Sequence, residues 1–151
     1  DGTGLGTDGT IWGGEFLTGD YNDFERRGSI RPILLPGGDA AAVEIGRIAL
    51  SLLTDADLDP GDVPLPPVKA RAVAAMLRQT ALCPRASSMG RLFDGLYALI
   101  AGCGKTSYEG QGPTLLEAMV RPGEPGRYYP VAFTQSDGLR VFDTRPLVRG
   151  W

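Results

Sequence analysis

Residues 87–102 read SSMGRLFDGLYALIAG. Leu92, Phe93, Leu96, Leu99 and Ile100 recur at the three- and four-residue spacing of one helix face. Ser87 or Ser88 supplies a capping hydroxyl for the unpaired N–H groups of the first turn. Gly102 and Gly104 end the run, so the pattern predicts a helix over about 88–102. Its first turns also carry Arg91 and Asp94, three apart and therefore on one face, opposite much of the apolar stripe. Two readings fit that pair. It is either a solvated ion pair, or part of a helix N-terminus turned toward a nucleotide, with Asp94 accepting hydrogen bonds from ribose hydroxyls.

Upstream, VKARAVAAMLRQTAL predicts a helix over 68–82 with Val73, Met76, Leu77 and Leu82 inward. The acidic, Pro-rich stretch over 54–67 is a loop by its turn chemistry. Before it, Asp39 stands as an N-cap to a helix over about 39–54, with Val43, Ile45, Ile48, Leu52 and Leu53 at helical spacing and Gly46 weakening it. Glu44 and Arg47 repeat the three-residue charge pairing, with the same two readings. Downstream, Ser107 to Val120 reads as a further helix with Leu115, Leu116 and Met119 inward, stopped by Pro122-Gly123. The chain opens with a turn-rich β segment, with Thr10 to Leu17 as its strand and Asp8-Gly9 as a hairpin turn; a second extended stretch runs over 24–35. It closes with a predicted hairpin, YYPVAFTQ and LRVFDTRPLV around Ser136-Asp137-Gly138. The expected class is mixed α/β, four main helices with a few strands at both ends. Neither side of the 54–67 loop has enough apolar residues for its own core, so residues 1–151 read as one domain.

Composition narrows the chemistry. The chain has 151 residues with 22 Gly, 12 Pro, two Cys and no His. Without His there is no Ser-His-Asp or Cys-His pair, no HExxH zinc site and no His-ligated cofactor. Cys83 and Cys103 are too few for a zinc cluster and make little of a disulfide framework, which points to a reducing compartment. A net charge of −3 argues against electrostatic binding of nucleic acid or membrane. No apolar run approaches the ~20 residues of a spanning helix. The chain begins at Asp1 inside a Gly-rich motif, which suggests a piece of something longer.

Two letter patterns fail on context. Gly4-x-Gly6-x-x-Gly9 meets the dinucleotide fingerprint, but that needs a strand before it and a helix after it, and a strand-like run follows. Gly104-Lys105-Thr106 ends like a P-loop, yet the first Gly would fall at Leu99, inside a helix. Lys105 then reads as a cation near a helix C-terminus. The opening Asp1-Gly2-Thr3-Gly4 has more content. An acid followed by small residues on a turn brings backbone N–H groups close to phosphate oxygens while the carboxylate holds a divalent cation.

Taken together, DGTGLGTDGTIWGGEFL, PGGDAAAVEIGRIAL, SSMGRLFDGLYALIAG and TSYEGQGPTLLEAM resemble, in order and spacing, the HypF carbamoyltransferases that mature [NiFe] hydrogenases. The resemblance covers nearly the whole chain. It implies the middle of the C-terminal domain, similar to the tRNA threonylcarbamoyl-transfer enzymes, with an actin/Hsp70-like ATPase fold. HypF-type proteins make carbamoyl-adenylate from carbamoyl phosphate and ATP in a YrdC-like domain. They then carbamoylate the C-terminal Cys of HypE, in the cytoplasm. Zinc is implied only for finger segments upstream of this chain.

Carried over by position, the resemblance gives Asp1 as a ligand of the divalent metal and Gly2 and Gly4 as the phosphate turn. Ser88, Gly90, Arg91 and Asp94 face the nucleotide, and Glu109 and Gln111 match a nearby YEGQ element. The family's paired metal His lie before Asp1 and a further metal Asp lies beyond residue 151, so weak or no metal binding and no activity are expected of this stretch alone. Leu5, Ile45-Gly46 and Gly112-Pro113 depart from the pattern, and the last should shift or kink the helix start after YEGQ. An antibiotic-type O-carbamoyltransferase, or a non-enzymatic nucleotide-binding or interaction module, is the alternative.

Overall fold

The computed structural model describes residues 3–150 apart from 62, 122, 124, 125, 127, 131 and 137. Asp1 and Gly2 lie outside the described residues, as do Pro122 and Asp137 of the predicted stop and turn. The Gly-rich opening forms a short antiparallel hairpin, β1 (Gly4–Leu5) with β2 (Ile11–Trp12). Asp8 closes its turn by accepting the Thr10 N–H at 2.9 Å and the Thr10 hydroxyl at 2.7 Å. Gly13-Gly14 then passes the chain to β3 (Glu15–Gly19), so the single strand expected over 10–17 is split between two sheets.

The extended stretch 24–35 likewise divides into β4 (Phe24–Ile30) and β5 (Ile33–Leu34), with Pro32 between them. Three further strands, β6 (Arg85–Ala86), β7 (Ala132–Ser136) and β8 (Leu139–Asp143), complete the sheets. Their orders are β1-β2-β6-β5 and β3-β4-β8-β7. Both sheets follow one plan, a central parallel pair flanked on each side by an antiparallel one.

The helices largely follow the periodicity, with informative exceptions. The predicted 39–54 helix is two, α1 (Asp39–Val43) and α2 (Gly46–Asp55), interrupted at Glu44-Ile45; Gly38 is the N-cap, and Asp39 is the first helical residue. Next comes α3 (Pro67–Arg78), which stops at Gln79 and continues as a 3-10 turn over 80–82, so Leu82 is exposed instead of buried. The helix α4 (Met89–Ala101) matches its prediction closely. Ser88 caps it, accepting the Arg91 N–H at 3.3 Å, and Gly102 ends it at φ 63°, a left-handed conformation that favours Gly. The last main helix, α5 (Gln111–Ala118), begins four residues later than expected, with Pro113 in its first turn where no intrahelical N–H is needed. A short α6 (Arg145–Arg149) replaces the end of the expected final strand.

The main core lies between α2 and α4, where Ile48, Leu52, Leu92, Leu96 and Leu99 are buried with Ile45 and Val148. A second cluster of Leu50, Val73, Leu77 and Cys83 fixes α3. Phe93, Ile100 and Met119, assigned inward by spacing, are among the exposed large apolar residues, so the α4 stripe is narrower than its sequence suggests. No helix among the described residues is long and apolar enough to cross a membrane, and Cys83 and Cys103 are free thiols.

Candidate functional site

A cleft of about 360 Å3 opens where the hairpin, α1, α4 and the 106–110 loop meet. It is lined by Thr3, Asp39, Arg91, Asp94, Tyr108 and Glu109, with Ala42, Val43, Thr106, Ser107 and Gly110. Three of the predicted site residues, Arg91, Asp94 and Glu109, therefore converge on one space although 15 or more positions separate the last from the others. Gly4 follows the lining residue Thr3 in the hairpin. Ser88 and Gly90 lie at the start of α4 behind the cleft, and Gln111 accepts the Ser107 N–H at 2.6 Å, bracing the loop rather than lining the space. A larger groove of about 480 Å3 beneath residues 58–64 is mostly apolar, with Asp59 and Arg149 as its charged residues. Of the two spaces, the smaller one has the convergent polar groups expected of a ligand site.

The pair expected to be either solvated or functional is buried. The Asp94 side chain is 2% exposed and Arg91 13%, with Arg91 Nη2 2.7 Å from Asp94 Oδ2. That approach lacks hydrogen-bond geometry: Asp94 Oδ2 and Arg91 Nε are both buried with no hydrogen-bond partner among the described residues. Burial pushes the Asp94 carboxyl above the ordinary range, opposed by the charge of Arg91 and reinforced by that of Glu109. Helix α5 approaches this carboxylate closely. A Cβ on Gly112 would lie 2.6 Å from Asp94 Oδ1, so only Gly permits this approach without a shift. The Gly112-Pro113 departure thus sets how closely α5 covers the carboxylate.

Loop 106–110 is held in place by Thr106, whose N–H donates to Val43 O at 2.9 Å and whose hydroxyl lies 3.3–3.4 Å from the Val43 and Ala42 carbonyls. Asp39, Thr106 and Tyr108 were not expected as site residues, and their signal lies in the quoted segments PGGDAAAVEIGRIAL and TSYEGQGPTLLEAM. Glu44 and Arg47, the second charge pair, lie outside the cleft and are structural. Arg47 Nε donates to Glu44 at 2.7 Å, Lys69 joins from α3, and these bonds, with Lys69 first, hold the Glu44 carboxyl low. Among the described residues no three His, Cys, Asp or Glu side chains converge as a metal centre. The described residues thus do not by themselves fit the implied metal, whose assigned ligand Asp1 lies outside them.

The site is thus a Gly-rich hairpin set against a capped helix that bears a buried carboxylate, with a cleft between them. The family described as Carbamoyltransferase, Kae1-like Domain, second subdomain, matches residues 1–151. The carbamoyltransferase HypF of Rhodobacter capsulatus is 42% identical over 83% of this chain, and that of Synechocystis sp. is 34% identical over 99%. The crystal structure of full-length HypF in the phosphate- and nucleotide-bound form superposes with a TM-score of 0.88 at 32% identity, covering 99% of this chain. The structure of T. kodakarensis HypF gives 0.82 at 28% identity. The chain belongs to the HypF carbamoyltransferase family. It spans 17% and 22% of the two relatives and 24% and 21% of the two solved chains.

Proposed function

We propose that residues 1–151 are a single partial domain within the carbamoyltransferase domain of a cytoplasmic HypF-type enzyme, and that the cleft grips the adenosine part of carbamoyl-adenylate. The observation that carries this is Asp94: a carboxylate 2% exposed, on a cleft wall, with an oxygen that no hydrogen-bond donor among the described residues satisfies. Such a group is costly unless something donates to it, and a ribose diol supplies two O–H donors. The nucleotide- and phosphate-bound relative supports the ligand class.

Under this reading Ser88 and Gly90 set the α4 N-terminus, and Arg91 and Glu109 border the sugar while Gln111 braces their loop. Gly2 and Gly4 let backbone N–H groups approach the phosphates, and Asp1 is a ligand of the divalent metal. ATP and carbamoyl phosphate are the upstream substrates. A divalent metal held at Asp1 would supply positive charge against the phosphates. The acceptor is the C-terminal Cys of a HypE-type protein, a choice supported by the HypF relatives over a small-molecule hydroxyl. In the transfer, the acceptor thiolate forms the S–C bond to the carbamoyl carbon and the C–O bond to the adenylate phosphate breaks. AMP leaves with that electron pair, and the thiol proton passes to solvent. With the adenylate already activated, alignment of thiolate and carbonyl accounts for most of the rate. The test is Asp94→Ala in the full chain: transfer from carbamoyl-adenylate is expected to be lost, and unchanged transfer overturns the assignment.

A further inference from the structure

Beside the hairpin stands Glu15, to which the proposed site gives no role and whose donors come from three separate parts of the fold. Its carboxylate is 6% exposed and accepts four donors. The Gly13 N–H and Gly14 N–H converge on Oε2 at 2.6 and 2.8 Å. On Oε1, Arg26 Nη2 donates at 2.9 Å, and the Ser87 hydroxyl donates to the same oxygen. These partners belong to different parts of the fold. Gly13-Gly14 is the crossing between the two sheets, Arg26 lies on β4, and Ser87 directly precedes the Ser88 cap of α4.

Two neighbouring contacts run in the same direction: the Ser87 N–H donates to Ile11 O at 2.9 Å and the Met89 N–H to Gly13 O at 3.4 Å. Arg26 extends the joint to the hairpin turn. It stacks 4.3 Å from the centre of the Trp12 ring and pairs with Asp8 at 2.7 Å. The two walls of the cleft that this joint connects are the hairpin, which supplies Thr3, and α4, which supplies Arg91 and Asp94.

We infer that Glu15 is a positioning residue, whose four-donor carboxylate locks the Gly-rich hairpin to the N-terminus of α4 and so sets the separation of the nucleotide-binding walls. This rests on the proposed nucleotide site for its consequence, though not for the mechanical coupling itself. A carboxylate is suited to the place because backbone N–H, hydroxyl and guanidinium donors all favour a charged acceptor, and its burial makes partial satisfaction costly.

The test measures both in the full chain, with Glu15→Gln, which keeps the shape and one carbonyl oxygen, and Glu15→Ala. Amide hydrogen exchange is expected to rise about tenfold together at residues 10–14 and at 87–91, with α3 unchanged. ATP affinity is expected to fall about tenfold in Glu15→Ala and less in Glu15→Gln. If exchange rises in the hairpin while 87–91 keeps its protection, the coupling is overturned. If both segments loosen but ATP affinity stays at the parent value, in an assay where Asp94→Ala weakens it, the positioning role is overturned. If Asp94→Ala also leaves ATP binding unchanged, the nucleotide reading fails, and the exchange pattern alone decides the coupling. Should Glu15→Ala not fold, Glu15→Gln carries every arm.

Discussion

Arg91 and Asp94 lie one helical turn apart with their charges 2.7 Å from each other, yet Asp94 Oδ2 has no hydrogen-bond donor among the described residues. The charge of the pair is balanced while its hydrogen bonding is incomplete. Arg91 offsets part of the desolvation cost, and Asp94 is itself a lining residue of the cleft. A purely structural ion pair would have no need of that gap.

Asp94→Asn is therefore expected to change the pH dependence of stability as well as ligand binding. Burial raises the folded carboxyl above the ordinary aspartate value of 3.8. Between those two values the native chain holds more protons than the unfolded chain, so wild-type stability falls as pH rises through the window and levels off above it. The Asn variant has no such fall. Urea unfolding midpoints measured from about pH 4 upward show it; parallel curves for the two proteins would show that burial does not perturb this carboxyl. The same substitution should weaken ATP binding about tenfold, the equivalent of one charge-assisted hydrogen bond.

Asp8 should behave in the opposite sense. Its slight burial pushes the carboxyl up, but hydrogen bonds from the Thr10 hydroxyl and N–H and from Trp12, with the charge of Arg26, outweigh it and bring it down to about 2. A lowered carboxyl contributes stability that is present above its unfolded value and is lost as pH falls from near 4 through about 2. Asp8→Asn is expected to shallow the acid limb of the unfolding curve and to cost about 1 kcal/mol at neutral pH through weakened turn hydrogen bonds. Circular dichroism melts at neutral and acid pH measure both.

The same two sites show what the sequence discloses. Helix α4 was legible because its signals are local: a Ser cap, a repeating apolar face and a terminal Gly. The burial of Asp94 was not, because the cover comes from Gly112 on another helix, and a single spacing cannot report a neighbour. Spacing singled out Arg91 and Asp94 but left two readings open, and the resemblance favoured the nucleotide reading and added Glu109. Strand β6 has two residues and exists only because β2 and β5 flank it. Helix α6 was missed because Leu139–Val148 alternates like a strand, and five residues beginning beside Pro146 give no helical period to read. The break at Glu44-Ile45 is tertiary in origin, as the Gly46 N–H is drawn to Gly104 O at 3.1 Å.

A charged clasp at the far side of the core should be measurable. Arg31 donates to Asp55 through Nε at 2.6 Å and Nη2 at 2.9 Å, tying the β4–β5 connection to the end of α2. Asp143 and Arg145 form a second such pair beside it at the start of α6. Both Arg31 and Asp55 are about a quarter exposed, at 30% and 26%, so the bidentate geometry is only partly screened. Arg31→Ala is expected to cost about 1–2 kcal/mol in urea unfolding, an amount between the exposed and buried limits. Asp55→Ala should cost a similar amount, and the double variant less than the sum. Strict additivity would show that the two side chains do not interact in solution.

Gly104 gives the sharpest packing test. A Cβ there would lie 1.8 Å from Pro64 O and 3.0 Å from Pro64 C, which are backbone atoms that cannot rotate aside. The Gly104 carbonyl also accepts the Gly46 N–H, so the residue joins the end of α4, the start of α2 and the 56–66 loop at one point. Gly104→Val must push the Pro64 segment outward or break that hydrogen bond. The expected cost is about 1–3 kcal/mol, as for other overpacked sites. Thermal unfolding should show a lowered midpoint, with amide exchange rising first at Gly46 and Arg47. A second variant, Gly102→Ala, separates packing from backbone conformation: a Cβ there meets nothing within 4 Å but sits at φ 63°. It should cost about 1 kcal/mol and leave Gly46 exchange unchanged. Equal exchange at Gly46 in both variants would mean that the Pro64 contact does not hold this corner together.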